Sequence, residues 1–148
     1  SLSEKYNIPE QVLNREFDEV WLLMATSVLL TSKDLIKVAD FVQKDSKALP
    51  VLGISEFPVP IEWAFSISKS GKLDPVQEGG MNVRSQDLKK KYYDAGQFCV
   101  FPGSYLNNFK AGDHINFSGY ILPKYKSVDI DEVEDLVLAE AIFKMIRK

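Results

Sequence analysis

Two aspartates, Asp129 and Asp131, stand two residues apart in the run SVDIDEVEDL. In an extended segment that spacing puts both carboxylates on one face, about 6.5 Å apart. One hard cation could then sit between them. Magnesium is held through one or two carboxylates together with substrate phosphates, so the pair suits a site that steadies a triphosphate. The same spacing also fits a helix cap, with Asp131 accepting from the first turn and Glu134 completing a capping box. The two roles are compatible. In RSQDLKKKYYDAGQF, residues 84–98, Arg84 is suited to a carboxylate ligand, because a guanidinium pairs with it through two parallel hydrogen bonds. A solvated surface arginine is the plain alternative. Lys89, Lys90 and Lys91 read as a solvated face, since three adjacent side chains cannot all point one way. Tyr92, Tyr93, Trp21 and Trp63 read as core or interface residues, and His114 as structural or surface. There is no serine or cysteine nucleophile motif.

These groups need a scaffold. Residues 17–24 become continuously apolar from Val20 over a strand-length run, the mark of a strand covered on both faces, as in parallel sheets. Thr31 with Asp34 makes a capping-box start. Leu35, Val38, Ala39 and Val42 then recur at helical spacing, which predicts an amphipathic helix over 32–44. Residues 49–55 give a second apolar strand, so strand, helix and strand predict a crossover in an α/β sheet. From Ile61 the alternation of Trp63, Phe65 and Ile67 with small residues predicts a half-buried strand, and Ser70-Gly71 turns it into a hairpin that ends near Val76. Gly79-Gly80 then reads as a flexible approach to Arg84. A strand over 97–101 follows, then a short helical piece over 105–109 and a loop over 111–116. A long closing helix carries Val133, Leu136, Val137, Ile142 and Ile146 on one face. Residues 1–14 read as a short helix or an ordered tail.

The bulk numbers set limits. A chain of 148 residues suits one domain, and at that size folding buries roughly 68–70% of the surface of the unfolded chain, so no staples are needed. A net charge of −3 gives no electrostatic case for nucleic acid as a partner. Cys99 is the one cysteine, which excludes an internal disulfide and fits a reducing cytoplasm; it reads as a small buried apolar group. The longest apolar run is too short to cross a bilayer, which takes about 20 residues. No signal peptide is visible, and a start at Ser1-Leu2 reads as processed or cropped.

RSQDL followed by YYDAGQF, with VDIDEVEDLVLAE further on, resembles the signature of the acylneuraminate cytidylyltransferases, most closely the pseudaminic acid branch. The resemblance runs from about Asp18 to the C-terminus. It implies a partial Rossmann-like sheet of the nucleotide-diphosphosugar transferase type, with a β-hairpin excursion over about 58–93 that pairs subunits in a homodimer. It implies that the anomeric hydroxyl of a nonulosonic acid attacks the α-phosphate of CTP and pyrophosphate leaves, which needs no covalent enzyme residue. It makes Asp129 and Asp131 the catalytic magnesium ligands. Arg84 would reach the sugar carboxylate, with Gln86, Asp87 and Gln97 as further substrate-binding residues. Two departures stand out. Val28 and Leu30 replace the proline and arginine usual in this family's loop, and the glycine-rich basic loop that wraps CTP is absent from the sequence. The chain therefore reads as the C-terminal portion of such an enzyme, inactive alone. A non-catalytic dimerising or sugar-acid-binding remnant and an unrelated α/β domain are the alternatives. The enzymatic reading expects Arg84 and Asp129 to converge on one cleft, and open strand edges to favour self-association.

Overall fold

The computed structural model of the protein describes residues 17–45, 47–108, 110 and 115–146. The expectations for 1–14 and for His114 lie outside the described residues, as does most of the loop predicted over 111–116. The strands are β1 (Glu19–Leu23), β2 (Val51–Glu56), β3 (Phe65–Ile67), β4 (Leu73–Pro75), β5 (Tyr92–Pro102) and β6 (Ser118–Ile121). The helices are α1 (Ser32–Lys44), α2 (Gly103–Asn108) and α3 (Val133–Ile146).

A four-stranded sheet runs β1-β5-β2-β6, and β3 and β4 pair separately. β5 is antiparallel to both β1 and β2, while β2 and β6 are parallel. β1, β2 and β6 therefore point the same way, with one opposed strand inserted among them. This is a partial Rossmann-like α/β sheet. The expected strand, helix and strand are present, but β1 and β2 are not neighbours. Apolar runs report which residues are buried and not which strand lies alongside.

One row of the ladder, Trp21, Val100, Val51 and Ser118, faces α1. Val38 from α1 packs with Val51, Phe98, Val100 and Leu122 to form the core, flanked by Trp21, Leu30, Phe41, Val42 and Tyr120. Gly53 is small for a reason: a β-carbon there would lie 2.9 Å from the Phe98 ring. α1 begins where its capping box predicts, with the Thr31 backbone N–H donating to Asp34 Oδ2 at 2.8 Å. At its other end the Ser118 hydroxyl donates to Asp45 at 2.5 Å, which ties α1 to β6 and holds the Asp45 carboxyl below its usual range.

Three local expectations need correction. α3 starts at Val133, so Glu132 is the residue before it and Asp135, not Glu134, reaches back. The Asp135 carboxylate accepts from the Glu132 and Asp131 amides at 3.0 and 3.2 Å, and the Asp131 side chain caps nothing. The face expected to bury α3 is open: only Ala139 is buried, and Val133 and Val137 are 73% and 64% exposed. The hairpin turns at Gly71 as expected, but Ile61–Trp63 is a 3-10 turn and β3 and β4 are exposed rather than half-buried. Gly80 is no flexible approach either. It is buried, and a side chain there would collide with the Glu62 carbonyl. Among the described residues no helix is long and apolar enough to cross a membrane.

Candidate functional site

The site is built on an irregularity in β5. Cys99 pairs with Leu52 and Asp94 with Ile54, so four residues of β5 lie opposite the single residue Gly53. The ladder can accommodate the surplus only as a bulge. Gly96 supplies it with a φ of 63°, a left-handed conformation that an L side chain resists. Its N–H donates to Asp94 Oδ1 at 3.0 Å.

Two loops close on this bulge. The Gln97 carbonyl accepts from the Met24 N–H at 3.1 Å and from the Ser27 hydroxyl at 2.6 Å, which binds the loop after β1. The Gln97 side chain donates from Nε2 to the carbonyl two residues back, Ala95 O, at 2.9 Å and to Val128 O at 3.2 Å, which binds the loop before α3. Gln97 is fully buried and its Oε1 has no partner among the described residues. One residue on, Asp129 lies against Gly96: its Oδ2 is 2.5 Å from the place a β-carbon would take. The loops after β1, β2 and β6 all lie at the carboxyl ends of the co-directional strands, where open α/β sheets hold their ligands.

Asp129 is half-buried and Asp131 exposed, and neither carboxylate is engaged by a described hydrogen bond or ion pair. Among the described residues no group of three or more histidines, cysteines or acids could hold a metal by itself. Two free carboxylates still match the donor set that magnesium takes when substrate phosphates complete its shell. The residues present fit that ion.

A second cluster lies where the excursion leaves the sheet. A cleft of 270 Å³ lies between Phe57, Pro58 and Pro60 on one side and Ser85, Gln86 and Lys89 on the other. Lys90 binds Glu56 at 2.8 Å and Lys124 approaches the same carboxylate at 3.5 Å. Lys91 turns instead to Glu62, which is buried. The neighbouring lysines thus point to different partners, and two of the three are paired rather than free. The Lys90 bond, ahead of the opposing effect of burial, holds the Glu56 carboxyl below its usual range, and Lys90 is itself raised. The Lys91 bond lowers Glu62 in the same way. Arg84 is 74% exposed and its Nε donates to Asp87 Oδ2 at 2.9 Å.

The structure therefore brings Gln97 and Asp129 together, with Asp131 two residues on. It pairs Arg84 with Asp87 and sets Gln86 in the wall of the cleft. No described contact or shared cleft joins Arg84 to Asp129. Cys99 is buried as expected; burial, with the Asp94 charge adding to it, pushes its thiol up to about 12, so it is inert at neutral pH. Sequence reasoning missed Lys126 and Glu62, single polar residues with no motif around them, and Ser27, whose loop drew notice only for Val28 and Leu30 beside it.

The sheet, the bulge at its carboxyl ends and the paired acids define an α/β protein with a site suited to a phosphate-bearing ligand. Over 143 residues, 91% of this chain, it is 35% identical to the pseudaminic acid cytidylyltransferase of Campylobacter jejuni serotype O:2. It is 34% identical over the same length to the protein of that name from serotype O:23/36. The chain spans 58% of each relative. No protein-family model matches it. Over 91% of its own length the chain is thus similar to proteins named pseudaminic acid cytidylyltransferase.

Proposed function

We propose that the chain forms the sugar-acid-binding and subunit-pairing part of a cytidylyltransferase that converts CTP and a nonulosonic acid into a CMP-sugar and pyrophosphate in the cytoplasm. The observation that supports this reading is the contact of Asp129 with Gly96 at the carboxyl ends of the strands, the side on which open α/β sheets hold their ligands. Asp129 and Asp131 would hold magnesium. When bound, that ion offsets charge on the phosphates. Arg84 shares no described cleft with Asp129 within one chain, against the expectation that they converge, so it would reach the sugar carboxylate across the subunit pairing, exchanging its exposed bond to Asp87 for a bidentate one. Gln86 offers an amide from the cleft wall. Gln97 acts by holding the bulge, because its donors are engaged and its side chain is out of reach of solvent.

The test uses pyrophosphate release with CTP, magnesium and pseudaminic acid. The chain alone is expected to give none. Joined to the part of the Campylobacter protein that it does not match, it is expected to turn over, and Asp129→Asn in that chimera to stop it. CMP-sugar formed by the chain alone would show that the part of the relatives it does not match is dispensable. A fully active Asp129→Asn chimera would remove the role given to the acids.

Pairing of two copies is supported by the hairpin, where Phe65, Leu73 and Ile67 are 43%, 56% and 72% exposed. Apolar side chains grouped like this on a projecting hairpin mark an interaction surface. The protein is expected to sediment as a dimer, and Ile67→Glu with Leu73→Glu to leave monomer. A wild-type monomer at high concentration would contradict the pairing.

A further inference from the structure

The loop carrying Asp129 is tied to the rest of the protein by few bonds. Ser127 Oγ lies 3.4 Å from the Tyr93 hydroxyl, and the Val128 carbonyl accepts from Gln97 at 3.2 Å. Both are neutral and long. Among the described residues two further ties are ionic: the exposed Lys124 approaches Glu56 at 3.5 Å, and Lys126 Nζ binds Asp34 Oδ2, with the latter two side chains only 10% and 14% exposed. Asp34 also accepts from the Thr31 N–H and hydroxyl, at the head of the loop whose Ser27 holds the bulge. The bonds close a ring. Gln97 binds Ser27, the loop after β1 leads to Thr31 and Asp34, Asp34 binds Lys126, and Val128 returns to Gln97.

We infer that the Asp34–Lys126 ion pair positions the Asp129 loop against the Gly96 bulge, which makes both positioning residues of the site. Its shielding from water matters, because an exposed pair of this kind holds little, whereas a charge-assisted bond sheltered from solvent and salt is strong and directional. Its placement is also costly if stability were its only role. A lysine beside the first turn of α1 works against the helix dipole, and apolar residues usually fill such a place at least as stably. What the pair supplies that an apolar contact cannot is a fixed register between the first turn of α1 and a loop 92 residues further on. In part the inference rests on the reading of Asp129 as a metal ligand.

The experiment follows amide hydrogen exchange and Mn2+ broadening of NMR signals on the chain itself. Lys126→Met and Asp34→Asn are expected to speed exchange at residues 127–131 by about tenfold or more, while β5 and α1 stay protected. Broadening at Gly96 and Asp131 should then need roughly 10- to 100-fold more Mn2+, the usual effect of losing a residue that orients a ligand. Lys126→Arg should restore both, and Lys126→Gln serves if Lys126→Met does not fold. Exchange that rises equally everywhere would reduce the pair to a general stabiliser and overturn the inference. So would faster loop exchange with unchanged broadening. If the wild type shows no broadening, the metal reading fails by itself, and the exchange pattern alone decides whether the pair holds the loop.

Discussion

Phe98→Ala is expected to cost about 3–5 kcal/mol, the usual range for removing a buried phenylalanine ring. Phe98 is 2% exposed, and its ring lies 6.5 Å from that of Trp21 and 6.1 Å from that of Tyr120, so it links β1, β5 and β6. The site should sit at the upper end of that range. A hole left by a large side chain costs less when neighbours collapse into it, and one of the residues against this ring is Gly53, which has no side chain to move. Trp21 and Tyr120 are themselves held, the latter by an edge-on contact with Phe41 at 5.4 Å. A domain whose whole stability is about 5–15 kcal/mol would be left close to unfolding. Urea denaturation followed by tryptophan fluorescence measures this directly. A loss under about 1 kcal/mol would mean that the core drawn around Phe98 is wrong.

Much of this core was legible in the sequence, because burial leaves a periodic trace. α1 reads from its capping box to Lys44, and the apolar runs of β1 and β2 mark strands. The order of the sheet leaves no such trace. β5 enters between two strands that precede it, and nothing in YYDAGQFCVFP says that it runs opposite to them. The bulge is half legible. Gly96 stands out in the segment, but one glycine cannot distinguish a bulge from a turn. The start of α3 was misplaced because Asp131, Glu134 and Asp135 are all able to cap, and the position of the first turn decides which one does. The open face of α3 and the exposed hairpin show where apolar periodicity misleads. It predicts that a face will be covered, without saying whether the cover lies within the chain. The Asp34–Lys126 pair joins two ordinary charged residues distant in sequence, and only the fold brings them together.

Gly96→Ala separates the role of the bulge in stability from its role in the site. An alanine at φ 63° costs roughly 1–2 kcal/mol, the strain of a left-handed L residue. Its methyl group would also fall 2.5 Å from Asp129 Oδ2 and 3.1 Å from Asp129 Cγ, too close for either atom to remain. The side chain is the softer partner, because a carboxylate can rotate while the bulge is held at Gln97 by Met24, Ser27 and Val128. Asp129 is therefore expected to turn away while the fold survives with a modest loss of stability. A shift of about 1 Å in a catalytic group can reduce turnover about 100-fold, so pyrophosphate release by the chimera should fall by that order. Lys126 would still be paired, so the loop should stay protected from exchange even as Mn2+ broadening at Asp131 fades. If the variant instead turns over normally, the close contact between Gly96 and Asp129 serves packing alone, and the acids work from somewhere other than the bulge.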